Sequence, residues 1–391
     1  MRKSVVSKFL TCIALATFIS ASANESSTSE AHNPDHVKEE IKEFIGHHLQ
    51  DSYDFNLFSY TDQSGKQHHF GFPLPIILWD GGLQVFSSSK FHHGEEVAEV
   101  GGKFYVLFHN KIYSSKDSKG ELIDESGAFI DFRDQHEKRH AVNAKPLNLS
   151  ITKSVVMMLI TSLLLIWIFS ALARSYAKNG AIPQGIGRFF EPIVIYIRDD
   201  IAISNIGEKK YKRYMPFLLT TFFFIWFLNM FGLTPLGVNV TGNIAVTTAL
   251  AVLVFLITNF TGTKDYWKHI FDPLGDGMPW FGKIIIYIIL VPIEILGIFI
   301  KPFALLIRLY ANMTAGHVVM MSLIGLIFIF KSWVGGTLSL GLSFAISLIE
   351  VLVALLQAYI FTMLAALYFG FASEEHHHDH GHEEEAELAK H

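Results

Sequence analysis

From Ile284 to Phe330 the chain is apolar almost without a break. As one helix this run would be roughly 70 Å long, more than twice a ~30 Å hydrocarbon core, and a second run, Leu338–Phe371, would reach roughly 50 Å. Two foldings satisfy these lengths. Either both runs are steeply tilted helices joined by a turn at Lys331–Thr337, or Ile284–Phe330 contains two spans with Arg308 near a surface. The first keeps charge alternating correctly across the membrane and is the expectation. In that arrangement Arg308 lies at membrane depth. A guanidinium does not deprotonate in a protein, and burying one in a bilayer costs at least ~2.5 kcal/mol. A carboxylate partner or a water-filled ion path must offset that cost, which makes Arg308 the first candidate for function.

Half of the residues are hydrophobic, too many for an ordinary soluble chain of this length. The fold class expected is therefore an α-helical integral membrane protein of about five spans, associated with a lipid bilayer. Net charge is −5, with acids gathered in Glu25–Glu137 and Glu374–Glu387, and it gives no reason to expect nucleic acid as a partner. Met1-Arg2-Lys3, Lys8, the apolar Phe9–Ile19 and then Ala21-Ser22-Ala23 read as a signal peptide, residues 1–23, cleaved after Ala23; the rival is an uncleaved anchor. Cys12 is the single cysteine, so the mature chain would have no thiol or disulfide chemistry.

Residues 24–149 contain no spanning run and read as a small α+β extracytoplasmic domain. Within it Asp35–Asp51 has the pattern of an amphipathic helix, and Phe70–Trp79, Leu83–Ser88 and Lys103–His109 read as strands separated by Gly-Gly and Asn-Lys turns. Residues 150–371 form the membrane part. Ser154–Ala173, Pro216–Pro235 and Ile244–Phe260 are its first three spans, and the Lys/Arg block between the first two places that loop in the cytoplasm. The middle of the block, Ile182–Ile206, is expected to lie along the membrane surface. Residues 372–391 form a His/Glu-rich tail, read as solvated in the cytoplasm rather than as a metal site. The paired histidines at 47–48, 68–69 and 92–93 read as plain surface residues.

Glu294, His317, Glu350 and Gln357 also interrupt the last two runs. At 100° per residue Arg308 and Asn312 lie within about 40° of each other, while His317 falls on the opposite face. Glu350 and Gln357, seven apart, share one stripe. An antiparallel register that sets His317 beside Glu350 also brings Arg308 within about two residues of Gln357. A His–Glu level can relay protons; an Arg–Gln level cannot.

The run around Arg308, with Glu294, Pro302, Asn312 and Gly316 at their spacings, resembles the a subunit of the membrane sector of F-type ATP synthases. So do Leu356-Gln357-Ala-Tyr-Ile-Phe, Asn229-Met-Phe-Gly232-Leu-Thr-Pro235 and Thr241–Leu250, and the likeness covers about Asn148–Ala372. The resemblance implies a stator for proton flow past a rotating ring of c subunits, with two aqueous half-channels, peripheral-stalk b subunits and the rest of the synthase as partners. It implies that Arg308 faces the ring carboxylate, that Gln357 sits on the partner helix, and that Asn312 and Glu294 line the path. His317 and Glu350 fill two positions that some members occupy in the reverse order, which leaves the order of proton carriage open. The implied location is the bacterial inner membrane, mature N-terminus periplasmic and C-terminus cytoplasmic. No catalytic centre, cofactor or metal is implied, and the ion, H⁺ or Na⁺, is left open with a lean to H⁺. Gly232 stands where some members carry an acid.

A stand-alone cation or proton transporter is the alternative function, but the two halves of the membrane part show no repeat. An intramembrane metalloprotease lacks its paired-His-plus-Glu signature, and the chain has no P-loop.

Overall fold

The computed structural model describes residues 46, 50–61, 67–134, 139–180, 185, 187–234, 238–272, 280–330 and 333–374. The expected signal peptide, nearly all of Asp35–Asp51 and the His-rich tail beyond Glu374 lie outside them. The chain divides into two compact units. One gathers the described parts of Met1–Ser162, Leu228–Asn243 and Thr314–Val351, and the other those of Leu163–Phe227, Ile244–Met313 and Leu352–His391.

The first unit begins with a β-rich domain of antiparallel pairs: β1 (Asp54–Thr61) with β2 (Gln67–Pro73), then the sheet order β10-β3-β4 from β10 (Leu147–Asn148), β3 (Pro75–Trp79) and β4 (Leu83–Ser87). β5 (Ala98–Val100), β6 (Lys103–Phe108) and β7 (Lys111–Ser115) form a meander, and β8 (Leu122–Ile123) pairs with β9 (Phe129–Ile130). β6 and β7 are buried on both faces. Tyr105 and Ile112 enter one cluster with Tyr53, Ile76 and Phe91, whereas Val106, Phe108 and Tyr113 enter another with Leu122 and Phe132.

Both hairpins of the meander close on two residues with positive φ, Gly101-Gly102 (60° and 75°) and His109-Asn110 (47° and 54°). This backbone matches the right-handed twist of the strands it joins. Two sequence expectations are corrected here. The second turn is His109-Asn110 rather than Asn-Lys, because Lys111 pairs with Phe108. Phe70–Trp79 is not one strand, since Leu74 leaves the ladder to exchange hydrogen bonds with Ser88. His92 and His93 are exposed, as expected of surface residues.

The chain leaves this domain by pairing with it. Leu149 N–H donates to Ile77 O, Ile151 N–H to Pro75 O and Lys153 N–H to Ser52 O, while the Asp51 carboxylate accepts from Ser154 N–H at 3.2 Å. The last bond satisfies a first-turn donor of α1 (Lys153–Asn179), which would otherwise have no partner in the helix.

Five helices are long and apolar enough to cross a membrane, over Lys153–Lys178, Tyr211–Gly232, Ile244–Thr261, Ile286–Ile327 and Val334–Ser373. After α1 come α2 (Gly187–Tyr196), a wider π-helical stretch Ile197–Ile203, α3 (Tyr211–Gly232), α4 (Ile244–Thr261), α5 (Lys264–Phe271), α6 (Trp280–Phe330) and α7 (Trp333–Ser373). α6 is one helix of 51 residues that passes through Pro292 and Pro302, so of the two foldings open to Ile284–Phe330 the single helix is found. The turn expected at Lys331–Thr337 is shorter than read. Trp333 already begins α7, since nothing in Val334-Gly-Gly-Thr337 forces a break once apolar helix follows.

In the second unit the core is aromatic and small-residue packing. Ala358, Phe361, Ala365, Ala366 and Phe369 of α7 form one buried cluster with Tyr214, Leu218 and Phe222 of α3 and Ile197 and Ile201 of the π-helical stretch. Alanines let backbones approach closely, which is how membrane helices gain contact without a hydrophobic drive. At Gly370 the approach is closest, for a Cβ there would collide with the Asn205 carbonyl. The end of α7 is tied down as well. Lys210 Nζ donates to Ser373 O at 2.7 Å, and Thr263 donates to Ala372 O and Glu374 O at 2.8 and 2.9 Å, satisfying carbonyls that a helix terminus leaves unpaired.

Candidate functional site

Within the second unit, α6 presents two faces around Arg308. Leu305, Leu309 and Met313 are buried, while Arg308 and Asn312, one turn apart, are exposed. Arg308 makes no hydrogen bond or ion pair with the described residues. Gln357 of α7 is 3% exposed and packs on the stripe that includes Ala354, Ala358 and Phe361. No hydrogen bond joins it to Arg308 among the described residues, so these two groups share a unit without sharing a contact.

Glu294, Lys301 and Arg308 follow one another at intervals of seven. Each interval turns the helix back by only about 20°, so the three charges form one stripe about 21 Å long. Lys301 Nζ stands 6.0 Å from the Tyr368 ring centroid and 5.8 Å from that of Phe371. It borders two cavities that also share Tyr266. The smaller, about 20 Å³, reaches Asn259, Pro302 and Tyr368 and has room for about one water. The larger, about 320 Å³, is walled by Asp265, His269, Glu294 and Glu374.

α5 builds that wall because its ends are fixed. The Thr263 side chain accepts from Tyr266 N–H at its start, and Asp272 N–H donates back to Lys268 O at its end. Tyr266 donates its hydroxyl to Asn259 Oδ1 at 3.3 Å, which turns the face carrying Tyr266 and His269 toward Glu294. The His269 Nδ1 to Glu294 Oε1 distance is 3.9 Å. Burial, and then the negative charge of Glu294, push the Tyr266 phenol above its ordinary range.

The first unit holds the other polar level. His317 is 1% exposed, and its Nε2 lies 3.1 Å from the carbonyl of Gly232, the last residue of α3. A carbonyl only accepts, so Nε2 donates in this bond. Glu350 is 8% exposed, and its carboxyl lies against Gly316, where any Cβ would collide with it. Glu350 Oε2, Thr314 Oγ1 and Ser343 Oγ are buried with no hydrogen-bond partner. In hydrocarbon each such unpaired oxygen costs several kcal/mol. Thr241 donates to the buried Asn229 Oδ1 at 2.6 Å in the same unit.

Sequence reasoning placed Arg308, Asn312, His317 and Glu350 on their faces, but it assigned nothing to His269, Lys301 or Asn229. The interval of seven from Glu294 through Lys301 to Arg308 was a readable signal for Lys301. Among the described residues no group of three or more His, Cys, Asp or Glu could hold a metal ion.

Comparison with known families matches residues 155–370 to the model described as ATP synthase A chain. That match covers more than half of the chain. The chain belongs to the ATP synthase A chain family. The resemblance read from the Arg308 and Gln357 motifs is thereby shown. Residues 44–149 match a separate family model, described as a domain of unknown function. ATP synthase subunit a of Myxococcus xanthus is 45% identical over 250 residues, which is 61% of this chain and 78% of that protein. ATP synthase subunit a 2 of Chlorobaculum tepidum is 46% identical over 247 residues, 61% of this chain and 68% of its own length. For ATP synthase subunit a of Chloroherpeton thalassium the figures are 43% over 251 residues, 62% and 72%.

Proposed function

We propose that this member of the ATP synthase A chain family is the proton-translocating stator subunit of an F-type ATP synthase in a bacterial inner membrane. It forms two half-channels against a ring of c subunits, with Arg308 opposing the ring carboxylate, and it is held by peripheral-stalk b subunits. The observation that carries this reading is Arg308 itself, a permanent cation exposed on a membrane-length helix without an ion-pair partner among the described residues. Hydrocarbon supplies no counter-charge, and a carboxylate on the ring together with water in the ion path would offset the cost.

A proton entering from the outer side passes the His317 and Glu350 level, where Glu350 Oε2 has no hydrogen-bond partner among the described residues. It neutralises a ring carboxylate, which can then face lipid while the ring turns. At the end of the rotation the acid meets Arg308. Opposite charges about 4 Å apart attract by about 4 kcal/mol at an effective dielectric of 20, equivalent to about three pKa units in favour of the ionised acid. The proton is released along the Glu294 side, and the same cation blocks direct passage between the two half-channels. Gln357 and Asn312 orient the contact without taking protons.

ATP-driven proton pumping in inverted vesicles tests the proposal. Arg308→Ala should abolish pumping at normal assembled levels, and Arg308→Lys should fail too, since a desolvated lysine can shed its proton and lacks the planar fork. Coupled pumping at the wild-type rate in either variant would overturn the assignment.

A further inference from the structure

We infer that His269 is a proton-exchange residue at the open end of the Glu294 cavity, taking a proton from the Glu294 carboxyl and handing it to bulk water. This rests on the proposed function and adds a residue that the family match does not assign.

Three observations meet at this residue. His269 and Glu294 line one cavity of about 320 Å³ with Asp265, Tyr266, Lys301 and Glu374. The His269 Nδ1 to Glu294 Oε1 distance, 3.9 Å, is one small side-chain rotation or one water from a hydrogen bond. The His269 side chain is 60% exposed and that of Glu294 35%, so the pair grades from a sheltered carboxyl to an accessible ring.

Charge around the ring is suited to transfer. Asp265 stands one turn before His269 on α5, and Glu374 faces the same cavity, so two carboxylates favour a transient imidazolium. Lys301 is the one permanent cation among the cavity's described lining residues, while the Tyr266 phenol stays neutral. In the transfer the Glu294 O–H bond breaks as the Nδ1–H bond forms; the imidazolium then loses its Nε2 proton to water and returns as the other tautomer. The cavity therefore has the composition of a proton outlet rather than of a binding site for an organic ligand.

The test uses the assembled synthase in inverted vesicles, comparing His269→Ala, His269→Gln and Arg308→Ala at matched subunit levels. His269→Ala should lower ATP-driven pumping about tenfold, less than the ~100-fold that a fixed proton-transfer group can supply, because cavity water substitutes in part. The pH profile of pumping should lose the limb that imidazole titration adds, and free imidazole in the assay should restore rate to His269→Ala. His269→Gln should stay slow, since it keeps a hydrogen bond but carries no proton. If His269→Ala keeps the wild-type rate and pH profile while Arg308→Ala abolishes pumping, the inference falls and the stator function stands. If both variants pump normally, the proposed function falls first. A slow His269→Ala that imidazole does not rescue, together with a fully active His269→Gln, would make His269 a structural residue and overturn the inference.

Discussion

The Glu350 carboxyl occupies the space that a side chain on Gly316 would fill. The glycine is required by its neighbour rather than by its own backbone, and the residue it makes room for adjoins His317 on the next position of α6.

Gly316→Ala should therefore act on Glu350. The methyl group collides with the far end of a flexible side chain, so the helix pair can survive while the carboxyl moves. Assembly should remain near normal and proton transport should fall severalfold. Gly316→Ala combined with Glu350→Asp, whose shorter arm withdraws the carboxyl, should recover part of the rate. An alanine variant with unchanged transport would show that the position of the Glu350 carboxyl is immaterial.

His317 and Glu350 should behave as one unit. If they relay the same proton, each single alanine change slows transport strongly, and the double change costs much less than the sum in free energy. The exchange His317→Glu with Glu350→His should retain measurable transport, with Gly232 O still available to a donor on the opposite helix. Strictly additive losses in the double-mutant cycle would separate the two residues.

Asp124 gives the β-rich domain an acid limit. Its Oδ1 accepts from Ser126 Oγ, Ser126 N–H and Ala128 N–H at 2.6 to 2.9 Å, and Oδ2 accepts from Arg139 at 3.0 Å. The Ser126 hydroxyl first, then the Ala128 amide, with Arg139 adding less, hold this carboxyl down to about 2. A carboxyl lowered in the folded state stabilises fully above its unfolded value near ~3.9, and that stabilisation is lost as pH falls through about 2. The difference in Tm between wild type and Asp124→Asn should be largest above about pH 4 and shrink toward pH 2. A difference independent of pH would assign the bonds to packing alone.

At Gly370 the obstruction is backbone, the Asn205 carbonyl, and cannot swing aside. Gly370→Ala should destabilise the purified subunit in detergent by about 1–3 kcal/mol, the usual cost of overpacking. A Tm equal to wild type would show that the Asn205 segment yields freely.

Helical arithmetic was enough for the faces of α6. Nine residues separate Arg308 from His317, half a turn beyond two full turns, and the structure accordingly exposes one and buries the other. Pairings across elements were legible only where a periodic stripe led to them. His269 was hidden because the short helix that aims it at Glu294 depends on a Thr263 cap and a Tyr266–Asn259 bond. The β-rich domain was legible only in its longer strands. β8, β9 and β10 have two residues each, too few to show an alternation, and β10 pairs with β3, far back along the chain.

The exposed guanidinium of Arg308 also bears on biogenesis. On the proposed function, a ring acid that relieved a burial cost of at least ~2.5 kcal/mol would favour docking by about 70-fold before any apolar contact is counted.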